Sequence, residues 1–295
     1  MRTMLTLLLV GAYSLAVFGY GVGVGKYQWF PYEAIKILKG SGKEPSGLEF
    51  DAIGRLVADA SKTEAKCPVQ TDKLGVLLVI GQSNAANHAE YKYQSSELAG
   101  VYNYFDGKCY EASSPLLGST GRGGEWLSRV ASHLVSRGVY EEVVVVSSAI
   151  TSTPVARWAA GNDLNEMLRS VVANVRPIYR VTDVVWHQGE SDHRYTFTET
   201  YEAMFLSMLS TLRGEGVQAP IFLSIASTCG EDLKYPNRVT EAQTRLAQLD
   251  GVEIGVNTDE LLTMEMRYDT CHFARDGQES AALELAQIIA DYHTD

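Results

Sequence analysis

Past residue 70, the apolar positions fall into short runs separated by stretches with helical spacing. Leu74 to Ile80 is an unbroken apolar run bounded by turn residues, as expected of a strand buried on both faces. Val143 to Ser148, Asp183 to His187, Ile221 to Ala226 and Val252 to Val256 read the same way. Between them lie amphipathic stretches. Glu125 to Arg137 places Trp126, Val130 and Leu134 on one face, and Asp163 to Arg176 aligns Leu164, Met167, Leu168, Val171 and Val172. Thr198 to Arg213, Glu241 to Leu249 and Asp276 to Tyr292 complete the predicted helices. Strands alternating with helices at this spacing predict an α/β fold: a three-layer α/β/α sandwich around a parallel, doubly wound sheet. Such a sheet places ligands outside the carboxyl ends of its strands.

The N-terminus follows a different pattern. Met4 to Gly25 is a run of 22 residues without a charge, flanked by Arg2 and Lys26. About 20 apolar residues cross a bilayer core as a helix. Ser14-Leu15-Ala16 offers a small-x-small cleavage site, but the apolar run continues nine residues beyond it. The preferred reading of residues 1–25 is therefore an N-terminal hydrophobic helix acting as a signal anchor. A cleaved signal peptide is the alternative. The glycines of "GYGVGVG" inside this run do not make a phosphate loop, because no strand precedes them. Residues 26–66 read as a juxtamembrane segment with one or two short helices and a turn-rich linker, "GSGKEPSG". The main domain is expected over residues 67–295.

Charge and cysteine usage narrow the class. The net charge is −11 over 295 residues, which argues against nucleic acid as a partner. The expected partners are a small substrate and, through the N-terminal segment, a membrane. The four cysteines, Cys67, Cys109, Cys229 and Cys271, all follow the apolar run, and none forms a CxxC pair. Zinc is therefore not expected, and behind an export segment disulfides are the better reading. Three connectivities are open. The one expected is Cys67–Cys109 and Cys229–Cys271, each closing 42 positions. In the chain-entropy picture a loop of that size is worth roughly 4 kcal/mol. The protein is thus expected to be exported, facing the periplasm or cell exterior, or secreted if the N-terminus is cleaved.

Polar clusters follow three of the strands. Gly81-Gln82-Ser83-Asn84 ends the first, "WHQGESD" (Trp186 to Asp192) ends the third, and "DTCHF" (Asp269 to Phe273) follows the last. Together they supply Ser, His and Asp. A serine hydroxyl becomes a nucleophile when a histidine takes its proton, and a carboxylate fixes that imidazole. Of the six histidines, His293 lies in the tail, His133 on a helix, and His88 in a local loop. His187 reads as a buried core histidine, and His193 lies in the loop beyond it. His272 is the candidate base, with Asp269 three residues before it and able to reach back to its ring.

The motifs "IGQSN", "WHQGESD" and "DxxHF", in this order, resemble the SGNH/GDSL hydrolase superfamily. More narrowly, they are similar to its sialate O-acetylesterase and acetyl xylan esterase branch. The resemblance covers about Leu74 to Tyr292. It implies Ser83 as nucleophile, His272 as base and Asp269 as its acid partner, with Glu190 as a possible second acid. It implies an oxyanion hole from the Ser83 amide, Gln188 and the loop after the second predicted strand. There the branch often carries a glycine pair, where this chain has Thr151 and Ser152. Positive φ is disfavoured for such residues. Arg157 and Trp158 keep the branch's ending, and they read equally well as a surface ion pair and a packed aromatic. The expected activity is hydrolysis of O-acetyl esters on a carbohydrate, with neither metal nor organic cofactor. A lipid-directed esterase or acyltransferase, and an inactive carbohydrate-binding protein of the same fold, are the alternatives.

Overall fold

The computed structural model describes residues 14, 17, 47–230 and 236–294. Apart from residues 14 and 17, the expected N-terminal anchor lies outside these residues. Among the described residues no helix is long and apolar enough to cross a membrane.

The compact unit runs from Leu48 to Asp295. Its strands are β1 (Leu48–Phe50), β2 (Leu56–Asp59), β3 (Glu64–Ala65), β4 (Leu74–Gly81), β5 (Val101–Phe105), β6 (Lys108–Glu111), β7 (Glu142–Ser147), β8 (Asp183–His187), β9 (Ile221–Ile225) and β10 (Val252–Asn257). β1 and β2 form a separate antiparallel hairpin, and the other eight make one sheet of order β10-β9-β8-β4-β7-β5-β6-β3. The strands from β10 to β5 pair in parallel, while β6 and β3 are antiparallel additions at one edge. Five of the six parallel strands, β4, β7, β8, β9 and β10, lie at nearly the bounds expected from the sequence. The sequence reading placed a linker with short helices where β1, β2 and β3 lie, and it passed over β5 and β6.

Why the sheet is buried on both sides follows from β4. Leu74, Val76, Leu78 and Ile80 face one apolar core, and Leu77 and Val79 face the other. The first core is closed by α2 (Asp163–Val175), α3 (Thr198–Gly214) and α4 (Arg238–Leu246). The second is closed by α1 (Leu127–Ser136) and α6 (Arg275–Thr294), with the short α5 (Thr258–Leu261) nearby. Helix α4 begins three residues earlier than its apolar pattern suggests. Asn237 caps it, its side chain accepting from the Val239 and Thr240 N–H groups.

The chain winds from β4 outward in two directions, to β7 and β5 on one side and to β8, β9 and β10 on the other. The carboxyl end of β4 is therefore the switch point where ligands are expected. Of the three connectivities open to the four cysteines, the described chain has the one expected. Cys67–Cys109 joins the segment before β4 to β6, and Cys229–Cys271 joins the loop after β9 to the loop before α6. His293 is not a loose tail residue. Its Nε2 contacts Asp183 at 2.7 Å, beneath the amino end of β8, and Asp183 also accepts from the Tyr140 hydroxyl.

Candidate active site

Strand β4 ends at Gly81, and the chain turns at once through a single 3-10 turn, Ser83–Ala85. Gly81 has φ 149°, and a Cβ there would lie 2.0 Å from the His187 carbonyl oxygen. Only glycine lets β4 and β8 end this close together. The Gln82 N–H donates to that same His187 carbonyl, at 3.0 Å. Ser83 is buried at the rim of the sheet, and its backbone N–H finds no acceptor among the described residues.

The acid–base candidates stand on the loop between β10 and α6. Asp269 Oδ2 and His272 Nδ1 are 2.7 Å apart. Asp269 Oδ1 accepts from the backbone N–H groups of Cys271 and His272, at 3.1 and 2.7 Å. The D-x-x-H spacing thus closes into a turn that the carboxylate itself holds. Burial alone would raise the Asp269 pKa, but the hydrogen bonds from His272 outweigh it and keep the carboxyl below its usual range. A carboxylate on Nδ1 makes that nitrogen the donor and leaves Nε2 as the basic atom.

The two loops meet through Asn84. Its amide nitrogen donates to Glu190 Oε1 at 2.7 Å and to the Cys271 carbonyl at 3.3 Å. Its own carbonyl accepts from the Trp126 indole at 2.7 Å. The chain neighbours of Ser83 and His272 are therefore directly bonded. Arg267, buried, adds a second tie to the Cys271 carbonyl at 2.8 Å.

Glu190 is placed by its bond to Asn84. It is buried, and its Oε1 lies 3.8 Å from His187 Nδ1. Burial pushes the Glu190 carboxyl up, and burial followed by the Arg267 charge pushes His187 down to about 4. Both directions favour a neutral pair. His187, fully buried against Trp126 and Phe273 and bonded to Thr258, is the core histidine the sequence suggested.

Gln188 departs from its expected place as a donor to substrate. Its amide nitrogen is surrounded by Gln82 Oε1 at 3.1 Å, the Thr153 carbonyl at 2.9 Å and Asp192 Oδ2 at 2.6 Å. Its carbonyl oxygen accepts from the Tyr201 hydroxyl. An amide nitrogen carries two protons, and these acceptors already use them. The side chain therefore braces the floor of the site. Gln82 and Asp192 belong to the same brace: Gln82 also accepts from the Ser191 N–H, and Asp192 from the Val155 N–H. Neither brace role was visible in the sequence, because each depends on partners from another strand end.

Ser152, in the loop after β7, is exposed and has φ 56°. The chain takes the left-handed conformation at this position without a glycine. Like that of Ser83, the Ser152 N–H has no acceptor among the described residues. Arg157 pairs with Asp163, and Trp158 is fully buried against Trp186, so both take their ordinary structural roles.

His88 and Tyr268 are additions the sequence did not single out for the site. The His88 ring stacks on His272, with centroids 5.6 Å apart. Burial, and next the neighbouring His272, push the His88 pKa down to about 4. Among the described residues no group of His, Cys, Asp and Glu is arranged to hold a metal ion.

Comparison with known proteins places the family and the fold. Residues 73–291 match the family model described as "Carbohydrate esterase, sialic acid-specific acetylesterase". Among solved structures, a protein from Arabidopsis thaliana is similar at TM-score 0.59 and 20% identity, over 74% of this chain and 97% of the other. A carbohydrate acetylesterase from Xanthomonas citri is similar at TM-score 0.51 and 15% identity, over 74% of this chain but 56% of the other. At these identities the likeness is one of fold. No curated protein matches the chain.

Proposed function

The chain belongs to the sialic acid-specific acetylesterase family of carbohydrate esterases, and from that premise we propose that it removes O-acetyl groups from a sugar through Ser83, His272 and Asp269. The Ser83 hydroxyl attacks the acetyl carbonyl and gives its proton to His272 Nε2. Asp269 orients the ring and stabilises the imidazolium. The N–H groups of Ser83 and Ser152 hold the oxyanion, and Gln188 serves as a brace beneath them. As the tetrahedral species collapses, the sugar oxygen departs and takes the proton from Nε2. Water, deprotonated by His272, then attacks the acetyl-serine. Acetate leaves, and the proton returns to Ser83.

The observation that carries this reading is the coupling of the two loops. A His–Asp pair 2.7 Å apart sits on the segment that Asn84, the neighbour of Ser83, bonds at Cys271. The two disulfides fit an oxidising compartment, periplasmic or extracellular. Membrane attachment through residues 4–25 is part of the proposal.

The test is acetate release from O-acetylated sialic acid, acetylated xylan and p-nitrophenyl acetate by the full chain. Wild type should act on acetylated sugar, and Ser83→Ala should lower kcat by about 10³-fold or more. Faster cleavage of long-chain esters than of acetyl esters would replace the carbohydrate reading with a lipid one. Turnover that survives the loss of Ser83 would remove the mechanism.

A further inference from the structure

Tyr268 stands beside the proposed base. Its ring centroid lies 6.1 Å from that of His272, with the planes 28° apart. On His272 the His88 ring is also nearly parallel, at 27°. Yet Tyr268 is 49% exposed. A lone exposed aromatic is ordinary on a protein surface and by itself needs no explanation. This one is also held at both ends. Its hydroxyl donates to the His88 carbonyl at 3.0 Å, and its backbone N–H donates to the His272 carbonyl at 3.0 Å. A tyrosine side chain has two χ angles, so these ties leave the ring little freedom. The result is a fixed, solvent-facing aromatic next to the imidazole that would serve the leaving sugar.

The face of an aromatic ring is negative and its edge positive. One face of a pyranose presents axial C–H groups of slight positive charge, while its hydroxyls point outward to water. The two surfaces are complementary, and a ring already fixed in place loses little entropy on contact.

We propose that Tyr268 is a specificity residue of this esterase, a platform on which the sugar ring bearing the acetyl group stacks. The inference rests on the carbohydrate-esterase reading and on His272 as base. It adds a contact to the sugar that an acetyl group alone does not need.

The experiment compares wild type, Tyr268→Ala, Tyr268→Leu and Tyr268→Trp as full chains, each checked for folding by its melting temperature. The substrates are an O-acetylated pyranoside and triacetin, which has acetyl esters but no ring. Tyr268→Ala should raise KM for the pyranoside about tenfold, with kcat and the triacetin reaction changed by about twofold at most. Tyr268→Leu keeps bulk without an aromatic face and should lose the sugar in the same way. Tyr268→Trp should retain it. An equal fall on both substrates would make Tyr268 a support for His272 and overturn the proposal, as would unchanged KM for the pyranoside. Wild type that cleaves triacetin but no acetylated sugar would end the carbohydrate reading itself, and this inference with it.

Discussion

Two carboxylates were candidates for the partner of the proposed base, and their hydrogen bonds differ. Asp269 gives one oxygen to His272 Nδ1 and the other to two backbone N–H groups. Glu190 gives its bonded oxygen to Asn84. Asp269→Asn should therefore cost about 10³-fold in kcat, because an amide at that place favours the wrong imidazole tautomer. Glu190→Gln keeps an oxygen for Asn84 and should cost about tenfold at most. Steady-state kinetics on one acetyl ester decides, and the reverse ranking would make Glu190 the partner. The residue types were legible in the motifs, but their division of labour was not. D-x-x-H is a local turn, so the sequence holds both members of that pair. Asn84 acts on Glu190 and Cys271, 106 and 187 positions away, and Gln188 on Thr153 and Gln82, 35 and 106 positions away, and nothing in a linear pattern marks such partners. Ser152 shows the opposite limit. The lack of glycine suggested a changed loop, yet neighbours such as the Thr151 N–H bonded to the Thr120 hydroxyl and the Thr153 hydroxyl bonded to the Ile150 carbonyl hold it at positive φ.

Among the elements, the inner strands were readable because a strand covered on both faces has an unbroken apolar middle, as β4, β7 and β8 do. The edge was harder. β5 and β6 alternate aromatic and polar residues around Asp106-Gly107, both at positive φ. Asp-Gly between aromatic-rich runs is a hairpin signal that could have found them. Strands β1, β2 and β3 are two to four residues long and carry no usable period. The element that most affects the site is the loop carrying Asp269 and His272. It is tied to the loop after β9 by Cys229–Cys271 and to Asn84 by one hydrogen bond. The bridge holds a loop rather than the core. Mild reductant should thus lower kcat at a concentration that leaves near-ultraviolet circular dichroism unchanged. Coincident loss of activity and tertiary signal would assign the bridge to global stability instead.

At the level of the whole molecule, acid should be the sharpest stress. His187 is fully buried, and its folded pKa falls from 6.5 to about 4. Burial and the Arg267 charge outweigh the Asp259 carboxylate, which favours the protonated ring, and burial pushes the neighbouring Glu190 toward its neutral form. The unfolded chain then binds a proton near pH 6.5 that the folded chain refuses until about pH 4. Stability is present above the unfolded pKa and is lost as pH falls through this window, by about 3 kcal/mol from this group alone. Urea unfolding at several pH values should show that slope. His187→Gln, which can still bond Thr258, should flatten it whatever its effect at neutral pH. An unchanged slope would place the acid sensitivity elsewhere.

Asn84 and Cys271 meet across 187 positions of chain. A contact of such long range is expected to close late, which would make turnover a clock for the final closure in refolding. Secondary structure should return first and hydrolysis last, and a ribosome-bound chain halted before Cys271 should be inert however well its sheet has formed.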